Sequence, residues 1–181
     1  MKDKISKVLI TMGLLILIGS FTLSLYSKSI ENKALSNFEE KIKKEDTLSE
    51  VLPGDEIGII EIDSINLKNV IVQSTAKEYL KYYVCHFEES AMPGEEGNFA
   101  LAGHSSYIYN QVFNNLHKVN MGDKIVIKTI NNQFTYIITE TMEVQPSDTY
   151  VLDQDMSKKE ITIVTCTNSG KQRFIVKGEL Q

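Results

Sequence analysis

The chain lacks tryptophan and has few of the residues that metal-dependent or disulfide-rich folds require. Its 181 residues include three prolines and two cysteines, Cys85 and Cys166. The cysteines form no Cys-x-x-Cys pair, and no Cys/His cluster has the spacing of zinc ligands. We therefore expect no structural metal and no disulfide framework, although a single Cys85–Cys166 disulfide in an exported protein stays possible at this point.

The chain also lacks an excess of basic residues. It holds 19 Lys and Arg against 24 Asp and Glu, for a formal net charge of −5. Nucleic-acid binding proteins usually present a basic face, so this balance argues against nucleic acid as a partner. The length and the hydrophobic fraction of 42% suit one globular domain with appendages.

One long apolar run lies near the N-terminus. Residues 8–26 carry no charge, and at 1.5 Å per residue they span roughly 28 Å, about one bilayer core. Residues 1–7 hold three lysines against one aspartate, which predicts a cytoplasmic N-terminus and an extracellular remainder. The length of the run, with no Ala-x-Ala-type site after it, favours an uncleaved single-pass anchor over a cleaved signal peptide.

Residues 27–52 are predicted to form a partly helical juxtamembrane linker. Apolar residues from Ile30 to Ile42 recur at helical spacing, and Glu39 and Glu40 each precede a lysine by four positions. A solvated stalk is the alternative. The turn at Pro53-Gly54 marks the start of the folded domain, residues 53–181.

The domain is predicted to be mostly β, with short helices. Short β-branched runs alternate with turn residues, which is typical of an antiparallel barrel or a sandwich of seven or eight strands. The predicted strands cover residues 57–62, 67–72, 99–104, 124–130, 134–144, 161–166 and 173–180. Short helices are predicted from Ser74 or Thr75 through Tyr82 and over residues 111–117.

Two of the strand runs end in residues that can do chemistry. Residues 161–166 end in Cys166, residues 99–104 end in His104, and Arg173 follows Cys166 by seven positions. A thiol with an imidazole as its base is a candidate nucleophile, and an arginine can stabilise an oxyanion. The alternative for Cys166 is a buried strand cysteine, or one half of a disulfide with Cys85.

The order of several motifs resembles that of the sortases. The resemblance covers about residues 55–180 and is carried by Ile57-Gly58-Ile59-Ile60-Glu61-Ile62, residues 91–98, Leu101-Ala102-Gly103-His104, Gly122-Asp123, Val151-Leu152, Thr165-Cys166 and Arg173. It implies a closed eight-stranded sortase β-barrel behind an N-terminal transmembrane helix. It implies class A or class D, with class D slightly favoured.

The resemblance also implies a function and a set of site residues. It implies a cysteine transpeptidase that cleaves an LPxTG-like C-terminal sorting signal and transfers the protein to an amine acceptor such as a peptidoglycan precursor. His104, Cys166 and Arg173 are implied as catalytic, and Thr165, Ala102 and His86 as substrate-binding. No cofactor is implied, and we interpret the acidic turns at Glu88-Glu89 and Glu95-Glu96 as solvated, without a required metal.

A non-catalytic alternative predicts different outcomes. The chain would then be a membrane-anchored extracellular β-domain that binds a partner, and a Cys85–Cys166 disulfide would favour this reading. Papain-like peptidases are disfavoured by residue order, because they place the cysteine before the histidine, whereas His104 precedes Cys166 here.

Overall fold

A long N-terminal helix, α1 (Lys2–Lys44), precedes eight strands that close into a barrel in the computed structural model. The model describes residues 2–44, 51–105, 112–167 and 170–181. The strands are β1 (Glu56–Ile62), β2 (Leu67–Gln73), β3 (Val84–His86), β4 (Gly97–Ala102), β5 (Lys124–Lys128), β6 (Gln133–Val144), β7 (Lys159–Cys166) and β8 (Arg173–Leu180). Helix α2 (Lys77–Leu80) and the 3₁₀ turns Asp63–Ile65, Leu116–Lys118 and Thr149–Leu152 complete the elements.

The strand order around the barrel is β1-β2-β3-β4-β7-β8-β6-β5. This confirms the closed eight-stranded barrel. The expectation of antiparallel pairing throughout is wrong at two places, because β2 pairs with β3 and β4 pairs with β7 in parallel. Two strands that pair in parallel must be joined by a crossover connection. Here α2 lies between β2 and β3, while β5 and β6 lie between β4 and β7.

Local predictions failed where elements are short. Strand β3 has only three residues, too few to display an alternating pattern. Helix α2 begins after Ala76, which makes no side-chain cap, so neither Ser74 nor Thr75 is its N-cap. Instead, Ser74 Oγ accepts a hydrogen bond from the Ala76 N–H at 3.2 Å. In place of the helix expected over residues 111–117, residues 112–115 form turns; Gln111 lies outside the described residues.

The barrel has apolar side chains on both faces of several strands. Inside, Ile60, Leu101 and Ile163 belong to one large buried cluster. Outside, Ile59 and Val70 pack with Phe38 of α1, which has no exposed surface. Burial on both faces explains why the strand runs are nearly continuous in apolar residues.

The second half of α1 packs on β1 and β2 as a continuous helix. The described part of the predicted linker, residues 27–44, is therefore helical, and a solvated stalk does not describe it. Lys41 pairs with Glu56 of β1 at 2.9 Å, and Lys68 of β2 pairs with Glu39 at 2.7 Å. Residues 4–44 of α1 contain one stretch long and apolar enough to cross a membrane, and none of that stretch is buried in the protein.

Candidate active site

The candidate site lies where β4, β7 and β8 end next to one another. Cys166 is the last residue of β7 and pairs directly with Arg173, the first residue of β8. Directly opposed residues of an antiparallel pair extend their side chains on the same face, with Cβ atoms roughly 5 Å apart. Cys166 and Arg173 are therefore neighbours across the β7–β8 pair.

His104 follows the end of β4, and β4 pairs in parallel with β7, the strand that ends in Cys166. Ala102 pairs with Val164. His104 lies two residues beyond Ala102, and Cys166 lies two residues beyond Val164. His104 and Cys166 therefore follow this last pair by the same number of residues on two neighbouring parallel strands. The His104 side chain is exposed.

Hydrogen bonds hold the segment that leads to His104 against β7. The Gly103 N–H donates to the Val164 carbonyl at 3.2 Å, and Thr165 Oγ1 donates to the Gly103 carbonyl at 2.9 Å. The His104 carbonyl accepts from the Phe113 N–H at 3.2 Å. Since Thr165 is 4% exposed, its hydrogen bond is shielded from water and helps to fix where His104 leaves the sheet.

Gly103 has no room for a side chain. A Cβ at this position would lie 2.5 Å from the Phe113 ring. A glycine therefore allows the chain between β4 and His104 to pass directly under Phe113, which is itself buried.

Arg173 is oriented by the loop that joins β7 to β8. Its Nη1 donates to the Gln172 carbonyl at 3.3 Å and to the Gly170 carbonyl at 3.5 Å. These contacts use part of the guanidinium fork. Arginine carries five N–H donors and stays cationic, so further donors remain for an anionic or carbonyl oxygen near Cys166.

A small cavity of about 50 Å³ opens beside Cys166. Its lining residues are Ser105, Phe113, His117, Glu143, Thr165, Cys166, Thr167 and Phe174. Cys166 is half-buried and is one of the residues that line this space.

Four polar residues of this cavity were not predicted as site residues. Ser105 and Thr167 directly follow His104 and Cys166, whereas His117 and Glu143 lie further away in the chain. Glu143 reaches it because Glu143 of β6 pairs with Phe174 of β8, which in turn pairs with Thr165 of β7. His117 is exposed and lies on the 3₁₀ turn Leu116–Lys118. No sequence motif indicates either position, because both depend on strand pairing and on the 3₁₀ turn Leu116–Lys118.

The second cysteine has a different environment. Cys85 has no exposed surface, and burial raises the pKa of its thiol to about 12. Its nearest polar contact is the Tyr83 carbonyl, 3.9 Å from Sγ. Both cysteines are free, so the structure contains no Cys85–Cys166 disulfide.

His86 lies inside the barrel wall rather than in the cavity. Its Nδ1 lies 2.7 Å from Gln73 Oε1, and its Nε2 lies 3.1 Å from the Ala91 carbonyl and 2.9 Å from Ser90 Oγ. Burial lowers the pKa of this imidazole below its ordinary value. His86 has no exposed surface, so it would influence a substrate only through the groups that it holds. Ala102, by contrast, is half-buried on β4.

No group of three or more His, Cys, Asp or Glu side chains within residues 2–44, 51–105, 112–167 and 170–181 is arranged to hold a metal ion. The residues of the acidic turns are exposed, and one of them, Glu95, accepts a hydrogen bond from the Met92 N–H at 3.1 Å. The Glu95 side chain therefore stabilises the turn in which it lies.

The closed barrel thus places Cys166, His104 and Arg173 at, or within two residues of, the ends of β7, β4 and β8. Comparison with known proteins gives the family. Residues 60–181 match the family model described as Sortase domain, and the chain belongs to the sortase family.

Individual relatives agree with this assignment. The chain is 32% identical over 126 residues to sortase A of Bacillus anthracis, covering 68% of this chain and 59% of that protein. It is 30% identical over 131 residues to sortase D of Bacillus subtilis, covering 70% of this chain and 64% of that protein. The chain thus spans about three fifths of the length of these two relatives.

A solved structure of a Clostridium perfringens sortase D5 transpeptidase superposes with a TM-score of 0.78. The two are 45% identical, and the match covers 84% of this chain and 99% of the other. The similarity to sortases of types A and D agrees with the predicted A or D class.

Proposed function

We propose that this chain is a membrane-anchored transpeptidase that cleaves an LPxTG-like C-terminal sorting signal through a thioester on Cys166. The acyl group then passes to an amine acceptor of the cell wall, such as a peptidoglycan precursor. The observation that supports the proposal is the direct pairing of Cys166 with Arg173, together with the position of His104 two residues beyond the paired end of β4.

In the first step the Cys166 thiolate attacks the scissile carbonyl carbon. A new S–C bond forms, and the carbonyl π pair moves to the oxygen. A nearby imidazolium at His104 favours the thiolate and then gives its proton to the departing amine as the C–N bond breaks. The products are a Cys166 thioester and a free amine.

Arg173 stabilises the oxyanion that forms in this step or holds the substrate backbone in place. Arg173 is the strand partner of Cys166, and its cationic fork would reach the oxygen on which negative charge develops. Since donors that are already oriented cost no reorganisation during the reaction, the loop contacts of Arg173 contribute to this role.

In the second step an amine of the acceptor attacks the thioester carbonyl. The neutral His104 imidazole accepts the proton that the amine loses, the C–S bond breaks, and the Cys166 thiolate is regenerated. A new amide bond replaces the one that was cleaved, so the overall reaction is transfer rather than hydrolysis.

Three further residues are proposed to support substrate binding. Thr165 borders the cavity beside Cys166, and Ala102 lies on β4 two residues before His104. His86 would affect substrate binding indirectly, by stabilising the part of the barrel wall that β3 and β4 form. The N-terminal span supports a single-pass topology with a cytoplasmic N-terminus and an extracellular catalytic domain, facing partners that carry sorting signals.

The test uses the full chain in nanodiscs with LPxTG-type peptides and an amine acceptor. We expect an acyl-enzyme adduct on Cys166 by mass spectrometry and a transfer product that contains the acceptor. Cys166→Ala should abolish both, whereas the matched variant Cys85→Ala should retain both if it folds. Absence of adduct and product with every such peptide would support the non-catalytic binding domain instead.

A further inference from the structure

The cavity beside Cys166 has an acidic residue in its lining. Among the described residues that line it, Glu143 is the acid, and no lysine or arginine is present. Glu143 of β6 lies opposite Phe174 of β8, and Phe174 lies opposite Thr165 of β7. Because directly opposed residues extend their side chains on the same face, Glu143 and Thr165 share one face of the sheet.

The Glu143 carboxylate is available to a ligand. The side chain is exposed, and none of the ion pairs formed within the described residues includes it. Carboxylates bind ammonium groups through charge-assisted hydrogen bonds, which are stronger than hydrogen bonds between neutral groups. A cationic ligand in the cavity would therefore find an anionic partner at its wall.

Two hydroxyl groups of the lining use their protons elsewhere. Ser105 Oγ donates to Asn114 Oδ1 at 3.2 Å, and Thr165 Oγ1 donates to the Gly103 carbonyl at 2.9 Å. Amide and carbonyl oxygens only accept, so in both contacts the proton comes from the hydroxyl. A hydroxyl that has given its one proton away offers only lone pairs to a further group. Both oxygens therefore favour a ligand that donates hydrogen bonds.

The size of the cavity limits the ligand. Its volume is about 50 Å³, and one buried water needs roughly 10–15 Å³ of such space. A small, unbranched terminal group fits there, whereas a bulky side chain does not. His117, which is exposed at the same cavity, adds an imidazole that can accept a further hydrogen bond when it is neutral.

This lining fits the acceptor amine better than the scissile bond of the sorting signal. The scissile carbonyl oxygen accepts hydrogen bonds and becomes negative during the first step, so it requires a cation such as Arg173 and is repelled by a carboxylate. A primary ammonium carries positive charge and only donates hydrogen bonds. Its requirements match those of a cavity with acceptor oxygens and a carboxylate beside Cys166.

We propose that the cavity beside Cys166 binds the acceptor, and that Glu143 selects an unbranched primary amine in its cationic form. The proposal rests on the transferase function proposed above and names the acceptor class for it. The bound ammonium loses one proton to water, and the neutral amine attacks the thioester carbonyl. The C–N bond then forms, the C–S bond breaks, and the second proton passes to His104. Glu143 binds the acceptor and has no part in thioester formation.

The test compares a charged with an uncharged acceptor, using the full chain in nanodiscs. The α-amino group of triglycinamide is mostly protonated at pH 7, whereas hydroxylamine is mostly uncharged. Glu143→Gln keeps the size of the side chain and removes its charge. We expect this change to raise the apparent KM for triglycinamide about fivefold, because an exposed ion pair contributes little more than that. The apparent KM for hydroxylamine should stay the same.

Two further variants and a change of salt complete the design. Glu140→Gln is the matched control, because Glu140 is an exposed acid on the same strand, lies opposite Lys177 and does not line the cavity. It should leave both KM values unchanged. Glu143→Asp keeps the charge and should restore most of the affinity for triglycinamide. In the unsubstituted chain, higher ionic strength should raise the KM for triglycinamide but not that for hydroxylamine.

Thioester formation on Cys166 is measured first, by mass spectrometry. Absence of the thioester in the unsubstituted chain would overturn the proposed function and this inference with it. If Glu143→Gln forms the thioester and passes it to triglycinamide with an unchanged KM, the acceptor site alone is refuted. An equal rise of KM for both acceptors would refute it as well, since the loss would then not depend on the charge of the amine.

Discussion

Cys166 and Arg173 face each other across the antiparallel pairing of β7 and β8. They are seven positions apart in the sequence, and the antiparallel pairing of β7 with β8 makes them direct partners. If the function proposed above is right, a change at Arg173 should act on the reaction at Cys166 and leave the fold largely intact.

Arg173→Ala should lower kcat/KM for the donor peptide by about 10²–10³-fold, the usual effect of losing one oxyanion donor. Arg173→Lys should recover only part of this loss, because lysine keeps the charge but not the planar fork. The measurement is the rate of thioester formation on Cys166. Lys177→Ala, which removes another cation from β8, is the matched control, and an Arg173→Ala enzyme with the same rate as this control would contradict the role.

Thr165→Val should weaken both stability and activity. The change keeps the shape but removes the 2.9 Å hydrogen bond to the Gly103 carbonyl, leaving a buried acceptor unsatisfied at a cost of about 1–3 kcal/mol. Denaturant unfolding in detergent measures the loss, and thioester formation should slow because His104 is held less firmly. Thr165→Ser should restore both. The control Thr139→Val, at an exposed hydroxyl, should change neither by much.

The two cysteines should differ strongly in reactivity. In the native protein at pH 7.5, iodoacetamide should modify Cys166 and spare Cys85, because burial excludes the reagent from Cys85 and raises its thiol pKa to about 12. Peptide mass mapping distinguishes the two sites. Cys85 should become labelled once the protein is denatured. Labelling of both thiols at similar rates in the folded protein would refute the assigned environments.

Stability should decline as the pH falls below about 6.5, because His86 is buried. Its folded-state pKa is depressed relative to the ordinary 6.5, so the unfolded chain binds the proton more readily. The contribution of the neutral imidazole is thus fully present above pH 6.5 and is lost as the pH drops toward the folded pKa. Melting temperatures at pH 8, 6.5 and 5 measure the trend, and His86→Gln should reduce the slope between these values. An unchanged slope in the variant would assign the acid sensitivity to other groups.

The sequence predicts most of the barrel because its strands have strong local signals. Runs such as 161–166 are β-branched and bounded by turns, and they correspond to observed strands. Strand β3 was missed because three residues carry no pattern. The parallel pairs were missed because they join segments distant in the chain, which no local signal encodes.

The site was partly predictable for a related reason. Motifs at strand ends predict Cys166, His104 and Arg173 as catalytic residues, and these roles stay predictions. Their neighbours Glu143 and His117 enter the cavity only through the registers of β6 and β8 and the 3₁₀ turn Leu116–Lys118. A motif can be recognised along the chain, whereas the other residues of a cavity wall come together only when the strands pair.

The parallel pairing of β4 with β7 also determines when the chain can become reactive. His104 and Cys166 belong to strands between which the chain must first form β5 and β6, so their meeting requires contacts of long sequence separation. Such contacts are completed late, after loop-closure entropy has been overcome. On the roles proposed for His104 and Cys166, an incompletely folded chain would carry the thiol without the imidazole that is proposed to act as its base.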